Sequence, residues 1–266
     1  GSWLFRVPVG QGKSVTLKMQ FKFSETSDAV TLLFHRYACR SEDELPDRVP
    51  VKLIIRPDVE SRINHQLTKA FTGPEKLFPA SVIAGRDTFE FSPYDHKLIV
   101  SLADGEFHPE PQWNYMVELP LEKYYGLECN TDLFSPGYFQ YKLKGDQICL
   151  LRCVVDEDLA QAPTLEDFKD PLPDRLQLSD ALPRALRRYV VRRDDHKSII
   201  AGYPWFLDWG RDTLIALRGI IAAGMQNEAQ DILLQFAKYE ENGTLPNMIR
   251  GNDVSNRDTR RETLPP

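Results

Sequence analysis

The stretch Ser14–Phe23, SVTLKMQFKF, decides how the first half of the chain is interpreted. Its apolar residues recur at every second position: Val15, Leu17, Met19, Phe21 and Phe23. Successive side chains of a β-strand point to opposite faces of the sheet, so this alternation is typical of a half-buried strand. The stretch therefore predicts an antiparallel sheet near the start of the chain.

Six more stretches between Trp3 and Asp156 are predicted as strands. They are Val51–Arg56, Thr88–Phe91, His96–Leu102, Tyr115–Leu119, Tyr138–Leu143 and Gln147–Val155. Prolines and glycines fall between them, as is typical of turns. Several short strands at this spacing predict an antiparallel β-sandwich over residues 3–156.

An acidic segment follows the predicted strands. Residues 156–174, DEDLAQAPTLEDFKDPLPD, contain three prolines and no clear periodicity. This composition predicts a linker or a wrapped connection, which we place at residues 157–178. Residues 179–266 are then expected to form a second domain.

Helical periodicity begins after this segment. Ser179 and Asp180 are candidate N-caps for a helix that runs to about Arg193, with Pro183 in its first turn. Its apolar residues share one face: Leu182, Leu186, Tyr189 and Val190.

Two further helices are predicted. Asp212 and Thr213 are expected to cap a helix that reaches about Ala223. This helix is apolar nearly all round, which predicts burial on both sides, as for an inner helix of an α/α barrel. A third helix should start at Asn227 and stop at Gly243. Its predicted buried stripe consists of Ile232, Leu233, Phe236 and Tyr239.

Composition excludes several classes of function. The chain has 33 basic and 39 acidic residues and a formal net charge of −6, which disfavours a nucleic-acid partner because such binding uses clustered positive charge. No apolar run approaches the roughly 20 residues of a membrane helix, so no membrane partner is expected. The cysteines and histidines show no metal-ligand spacing, which predicts neither a metal nor another cofactor. Four cysteines in 266 residues are few, and they predict reduced thiols in a cytoplasm.

The loop Ser198–Asp212, SIIAGYPWFLDWGRD, has an unusual composition for a connection between helices. Aromatic rings can pack on the C–H face of a pyranose, while charged groups can bond its hydroxyls. These residues therefore indicate a sugar-binding site. A structural interpretation stays open: Asp212 as a helix cap, Arg211 as its ion-pair partner and the tryptophans as core.

Ala201–Leu217, AGYPWFLDWGRDTLIAL, resembles the signature of amylo-α-1,6-glucosidases, the glucosidase activity of glycogen debranching enzymes. The flanking sequence agrees with this resemblance. Asn227–Asn247, NEAQDILLQFAKYEENGTLPN, resembles the family's helix and its (L/I)PN loop. Val51–Thr68 and Leu127–Phe139 resemble the family's N-terminal β domain.

The resemblance implies a glycoside hydrolase with a β-sandwich followed by an (α/α)6 barrel of the glucoamylase type. Such an enzyme hydrolyses the α-1,6 branch stubs of glycogen or limit dextrin with inversion, using one carboxylic acid and one carboxylate. By resemblance, Trp209, Arg211 and Asp212 bind the terminal glucose. The same pocket is then lined by Trp205, Phe206 and Asp208.

The acid and base are expected on later helical hairpins, beyond the C-terminus, and neither is assigned to a residue of this chain. The chain is therefore expected to be an inactive fragment, with residues 179–266 as the start of the barrel. The segment Arg260–Pro266, RRETLPP, departs from the family's pattern.

Two other functions remain open. The first is another α/α-barrel glycosidase, of the glucoamylase or trehalase kind. The second is a non-catalytic carbohydrate-binding protein whose β half docks polysaccharide through exposed aromatic residues, although such residues more often belong to a core. The candidate residues are Trp113, Tyr115, Tyr124 and Tyr125.

Overall fold

The computed structural model describes residues 1–24, 26–63, 66–168, 177–203 and 206–249, and the backbone of 257–258. It divides into two compact units, Gly1–Pro171 and Leu172–Pro266. None of the helices in these described stretches combines the length and apolar character that a membrane span requires.

The first unit is built on two antiparallel sheets. Its strands are β1 (Ser2–Gly10), β2 (Lys13–Phe23), β3 (Ala29–Arg36), β4 (Val51–Ile55), β5 (Val82–Ala84), β6 (Thr88–Phe91), β7 (Leu98–Leu102), β8 (Glu106–Glu118), β9 (Asn130–Leu143) and β10 (Gln147–Val155). The larger sheet has the order β1-β2-β3-β10-β7-β6-β5, and the smaller has the order β4-β9-β8. Two short helices, α1 (Pro74–Ala80) and α2 (Pro120–Tyr124), flank the strands.

The two sheets share one hydrophobic core. The ring of Phe89 in the larger sheet lies 5.9 Å from that of Phe139 in the smaller one. The rings of Phe91 and Phe134 lie 6.1 Å apart in the same way. Facing antiparallel sheets with interleaved side chains are the arrangement expected of a β-sandwich.

The antiparallel character predicted from the sequence is confirmed, and two predicted strands, Thr88–Phe91 and Gln147–Val155, have the observed bounds. Strand β3, AVTLLFHR, was missed because it is buried or half-buried along its whole length and so shows no alternation. Strand β1 was missed as well. Strand β1 contains Pro8, which is tolerated there because β1 is an edge strand.

Strand β10 carries two cysteines with high pKa values. Burial raises the pKa of Cys149 to about 12 and that of Cys153 to about 11. All four cysteines are free of disulfides. At neutral pH both β10 thiols are protonated, so they pack as small apolar groups rather than react as thiolates.

Part of the predicted linker 157–178 packs on the first unit. Leu159–Gln161 and Glu166–Phe168 form single 3-10 turns. Between them, the Thr31 hydroxyl donates to the carbonyl oxygen of Pro163 at 2.7 Å. The assignment of domains to 3–156 and 179–266 stays a prediction.

The second unit combines helices with short strands. Its elements are α3 (Leu178–Arg187), β11 (Val190–Arg193), β12 (His196–Ile199), β13 (Asp208–Trp209), α4 (Gly210–Ala222), α5 (Gln226–Ala237), β14 (Met248–Ile249) and β15 (Arg257–Asp258). Apolar residues of α4 and α5 form its core together with Ile199 and Ile249. The predicted (α/α)6 barrel stays a prediction.

The predicted first helix was wrong at both ends. It starts at Leu178 after Gln177, so neither Ser179 nor Asp180 is its N-cap, and Pro183 lies inside it. It ends at Arg187 rather than near Arg193. The residues from Val190 to Arg193 instead pair with β12 in a hairpin. The physical reason is the β-branched pair Val190-Val191 followed by a two-residue turn, in which Asp194 takes a left-handed φ of 52°.

The predicted capping of the next two helices was also wrong. Helix α4 starts at Gly210, so Asp212 lies in its first turn rather than at its cap. Helix α5 starts at Gln226 and ends at Ala237, so Asn227 is not its cap and Gly243 is not its stop. The predicted burial was too broad, because several residues of both helices are exposed: Leu214, Ile215, Ile221 and Leu233.

A buried arginine holds the loop that follows β3 against strands of the first unit. The Arg36 guanidinium donates to four backbone carbonyl oxygens, those of Leu45, Pro46, Val49 and Leu143, at 2.6 to 3.2 Å. Burial lowers the pKa of Arg36 from its ordinary value, while Asp47 opposes that shift. Both terminal nitrogens of the guanidinium donate to carbonyl groups, which offsets much of the cost of burying the charge, while Nε has no hydrogen-bond partner.

We expect Arg36→Met to lower the free energy of unfolding by about 3 kcal/mol, because four backbone carbonyl groups lose a charged donor. Urea denaturation of the purified chain measures this change. The control is Arg40→Met, at an exposed residue four positions further on. It should change the same free energy by less than about 0.5 kcal/mol. Equal effects of the two substitutions would contradict the role given to Arg36.

Candidate functional site

The predicted sugar-binding motif lies around the start of α4. Strand β13 pairs with β14, so that Asp208 lies opposite Ile249 and Trp209 opposite Met248. The backbone N–H of Gly210 continues this pairing by donating to the carbonyl oxygen of Asn247 at 2.9 Å. Residues 208–210, DWG, are thereby hydrogen-bonded to residues 247–249, directly after the TLP sequence at 244–246.

Gly210 is required by the closeness of that stretch. A Cβ atom at position 210 would lie 2.5 Å from the Pro246 carbonyl oxygen and 3.7 Å from that of Asn247. The first distance is well below van der Waals contact, and the oxygen belongs to the backbone, which cannot rotate away. Any other residue would force the two segments apart.

Arg211 and Asp212 stand on the first turn of α4. Their side chains are 65% and 50% exposed, and Arg211 Nε lies 3.9 Å from Asp212 Oδ2. An exposed pair at this distance is worth little energetically, so both groups remain available to a ligand. The free N–H groups of the helix start also favour a negative group at Asp212.

The loop before β13 is closed on itself and presents aromatic residues. The N–H of Phe206 donates to the Ala201 carbonyl oxygen, and that of Ala201 donates to the Leu207 carbonyl oxygen, each at 3.2 Å. Gly202 has a φ of 54°, and a Cβ atom there would lie 2.9 Å from the Phe206 ring. The backbone geometry and the ring position therefore both favour glycine at this position.

The aromatic residues of this region differ in exposure. Phe206 is exposed, and Trp209 is half-buried at the start of α4. Trp205 lies outside the described residues. Tyr203 is exposed on the same loop and was not selected from the sequence, although its place among three aromatic residues was a signal for it.

Asp208 is 1% exposed and does not line an open surface. Its Oδ2 lies 3.6 Å from Arg193 Nε. Burial raises the pKa of the Asp208 carboxyl, while the Ser198 hydroxyl and the Arg193 guanidinium partly offset the rise. The sequence grouped Asp208 with Arg211 and Asp212, but the alternation of β13 turns it inward while Trp209 faces the other way.

Further polar contacts join the β11–β12 hairpin to α5. His196 Nδ1 lies 2.7 Å from Asp231 Oδ1, and Gln235 Nε2 donates to Asp194 Oδ2 at 2.8 Å. The roles of Gln235 and Arg193 were not predicted, because they depend on the β11–β12 hairpin, whose first strand was assigned to a helix. Within the described residues, no group of three or more acidic, histidine or cysteine side chains is placed to hold a metal ion.

We expect Gly210→Ala to lower the free energy of unfolding by roughly 1 to 3 kcal/mol, because the new methyl group overlaps the Pro246 carbonyl oxygen. Gly219→Ala in the same helix is the matched control, since a Cβ atom there meets nothing within 4 Å. It should raise stability by up to about 1 kcal/mol through helix propensity. Thermal unfolding followed by circular dichroism compares the two variants, and equal midpoints would contradict the close approach.

Comparison with known families supports the resemblance found in the sequence. Residues 1–149 match the family model described as Glycogen debranching enzyme N terminal. Residues 184–264 match the one described as Amylo-alpha-1,6-glucosidase, and this match includes both the loop before β13 and residues 260–264 of the segment that departs from the family's pattern. No solved structure matches the chain. Because the first match alone covers more than half of the 266 residues, the chain belongs to the glycogen debranching enzyme family.

Proposed function

We propose that the second unit provides the terminal-glucose subsite of an amylo-α-1,6-glucosidase, which hydrolyses the α-1,6 branch stubs of glycogen or limit dextrin. One observation carries this proposal: Arg211 and Asp212 are both exposed at a helix start whose position is fixed by Gly210. The two opposite charges lie 3.9 Å apart, too far for a hydrogen bond between them. Each can therefore bond the hydroxyl groups of a neutral ligand.

Each group has a distinct task in binding the sugar. The Arg211 guanidinium donates to hydroxyl oxygens, and the Asp212 carboxylate accepts from hydroxyl groups. The aromatic rings supply flat apolar surface for the C–H face of the ring. These rings are Phe206, Trp209 and, outside the described residues, Trp205.

Asp208 has a different role in this proposal. Its buried carboxylate touches Arg193 and Ser198 rather than solvent, so it positions the start of α4 instead of binding sugar. We assign the acid and base of inverting hydrolysis to none of the residues from Trp205 to Asp212. In the proposed (α/α)6 barrel those two carboxyl groups come from later hairpins. Four free cysteines support a cytoplasmic location for this activity.

Arg211→Met should weaken binding of an oligosaccharide that ends in an α-1,6-linked glucose, such as isomaltotriose, by at least about tenfold. The reason is the loss of a charged donor, which corresponds to roughly 1.5 kcal/mol or more. Asp212→Asn should act in the same direction. Isothermal titration calorimetry measures the affinity of each purified variant.

Arg218→Met is the matched control, because Arg218 is exposed on the same helix but lies away from its start. It should bind isomaltotriose as the unsubstituted chain does. The proposal fails if Arg211→Met and Asp212→Asn also leave the affinity unchanged. Weaker binding of maltotriose and trehalose than of isomaltotriose would separate the α-1,6 activity from the glucoamylase and trehalase alternatives.

A further inference from the structure

Aromatic rings in the first unit are stacked from the core to the surface. Phe78 of α1 is buried, and the half-buried ring of Trp113 stacks on it at 5.6 Å with an angle of 22°. Tyr115 continues the stack, with its ring 6.2 Å from that of Trp113 and an angle of 17°. Tyr115 is 55% exposed, so the stack ends in an aromatic face that is open to solvent.

A β-bulge directs this end of the stack outward. The pairing of β8 with β9 shifts between Asn114 and Val117, where β8 has one residue more than its partner. Met116 lies in the bulge with a left-handed φ of 58°, which a residue with a side chain adopts only at a cost in free energy. Bulges re-aim side chains and are frequent beside binding sites. Strained backbone of this kind must be held in place by its surroundings.

The buried carboxylate of Asp132 holds the bulge. Its Oδ1 accepts from the Met116 N–H at 2.9 Å, and its Oδ2 accepts from the Ala70 N–H at 2.8 Å. One carboxylate therefore brings the bulge next to the 3-10 turn Ala70–Thr72. Phe71 in that turn is 81% exposed, and Met116 is 66% exposed. We call the exposed set Phe71, Tyr115 and Met116 the aromatic platform.

Polar groups surround the aromatic platform. The Tyr115 hydroxyl donates to Glu75 Oε1 at 2.9 Å, and this bond raises the pKa of Tyr115. Nearby, Asn114 Nδ2 donates to Asp58 Oδ1 at 3.0 Å. The carboxylates disfavour an anionic ligand such as a phosphate or a nucleic acid. Hydroxyl groups can donate to them, so the surface suits a neutral ligand with one apolar face and many hydroxyl groups.

We propose that the aromatic platform is a second glucan-binding site, which takes an internal stretch of a linear α-1,4-glucan chain. This inference rests on the proposed function for its substrate class, a branched α-glucan, but not on the terminal-glucose subsite. All three side chains are exposed, and Asp132 joins the two backbone segments that carry them. We therefore expect the site to take an internal stretch rather than a chain end. The site would hold the polymer on the first unit while a branch end occupies a subsite elsewhere.

A cyclic α-1,4-glucan separates this site from the terminal-glucose subsite, because it has no non-reducing end. We expect the full chain to bind β-cyclodextrin in calorimetric titration and to be retarded by glycogen in affinity gels. Tyr115→Ala and Phe71→Ala should each weaken cyclodextrin binding roughly tenfold, as expected for loss of an aromatic contact. Tyr115→Trp keeps an aromatic face and should restore most of the affinity.

Two controls make the result specific. Phe23→Ala removes an exposed ring, 63% accessible, from the larger sheet and should leave cyclodextrin binding unchanged. Arg211→Met should also leave it unchanged while weakening isomaltotriose. The second site is overturned, and the proposed function left standing, if the unsubstituted chain does not bind β-cyclodextrin. The same holds if Tyr115→Ala and Phe71→Ala each bind it as tightly as the unsubstituted chain does. If the unsubstituted chain binds β-cyclodextrin but not isomaltotriose, the terminal-glucose subsite is overturned and the second site stands.

A measurement on the unsubstituted chain covers the case in which the variants do not fold. Met116 is the most exposed of the four methionines, so hydrogen peroxide should oxidise it first. Saturating β-cyclodextrin should slow that oxidation severalfold without changing the rate at the half-buried Met19. Mass spectrometry of peptides gives both rates. An unchanged rate at Met116 overturns the proposal.

Discussion

The second unit depends on one close approach, that of Gly210 to the backbone carbonyls of Pro246 and Asn247. This contact brings the DWG sequence onto the TLPN stretch at 244–247 and closes the pairing of β13 with β14. It also fixes the first turn of α4, which presents Arg211 and Asp212 to solvent. The exposure of Arg211 and Asp212 therefore depends on a backbone contact that leaves no room for a side chain at position 210.

Each unit contains buried charged side chains that contact loops or turns. Arg36 fixes the loop after β3 through carbonyl oxygens, and Asp132 joins the β8 bulge to the turn Ala70–Thr72. In the second unit Asp208 lies against Arg193 beneath the aromatic loop. Burial of such groups is unfavourable unless each finds partners. Arg36 and Asp132 bond to backbone groups and thereby fix that backbone, whereas the partner of Asp208 is a side chain 3.6 Å away. Exposed residues of the two proposed sites stand beside two of these three anchors.

Local sequence patterns predicted those parts of the fold that depend on local structure. Alternating stretches such as β6 and nearly all of β2 were found. Strand β3 was not found, because a strand covered on both faces does not alternate. Strand β11 was assigned to the end of a helix because Leu186 and Val190 also fit a helical period. The turn at Asp194 decides between the two structures, and its left-handed backbone becomes evident only when the strands pair.

The residues of the two proposed sites also differ in whether local sequence alone could predict them. Arg211 and Asp212 could be selected because the motif resembles the signature of the family, and both side chains are exposed in the first turn of α4. The direction of Asp208 could not be predicted, since a two-residue strand may face either way. The aromatic platform was only partly foreseen: Tyr115 was expected in a core, and Phe71 was not considered. Its assembly requires Asp132 to contact two segments that are far apart in the sequence.

The terminal-glucose subsite is tested most directly by a crystal structure of the chain with isomaltotriose bound. The account predicts that the terminal glucose lies within hydrogen-bond distance of both the Arg211 guanidinium and the Asp212 carboxylate, with Asp208 still buried against Arg193. A terminal glucose bound without contact to Arg211 and Asp212, or one that bonds Asp208 directly, would contradict it.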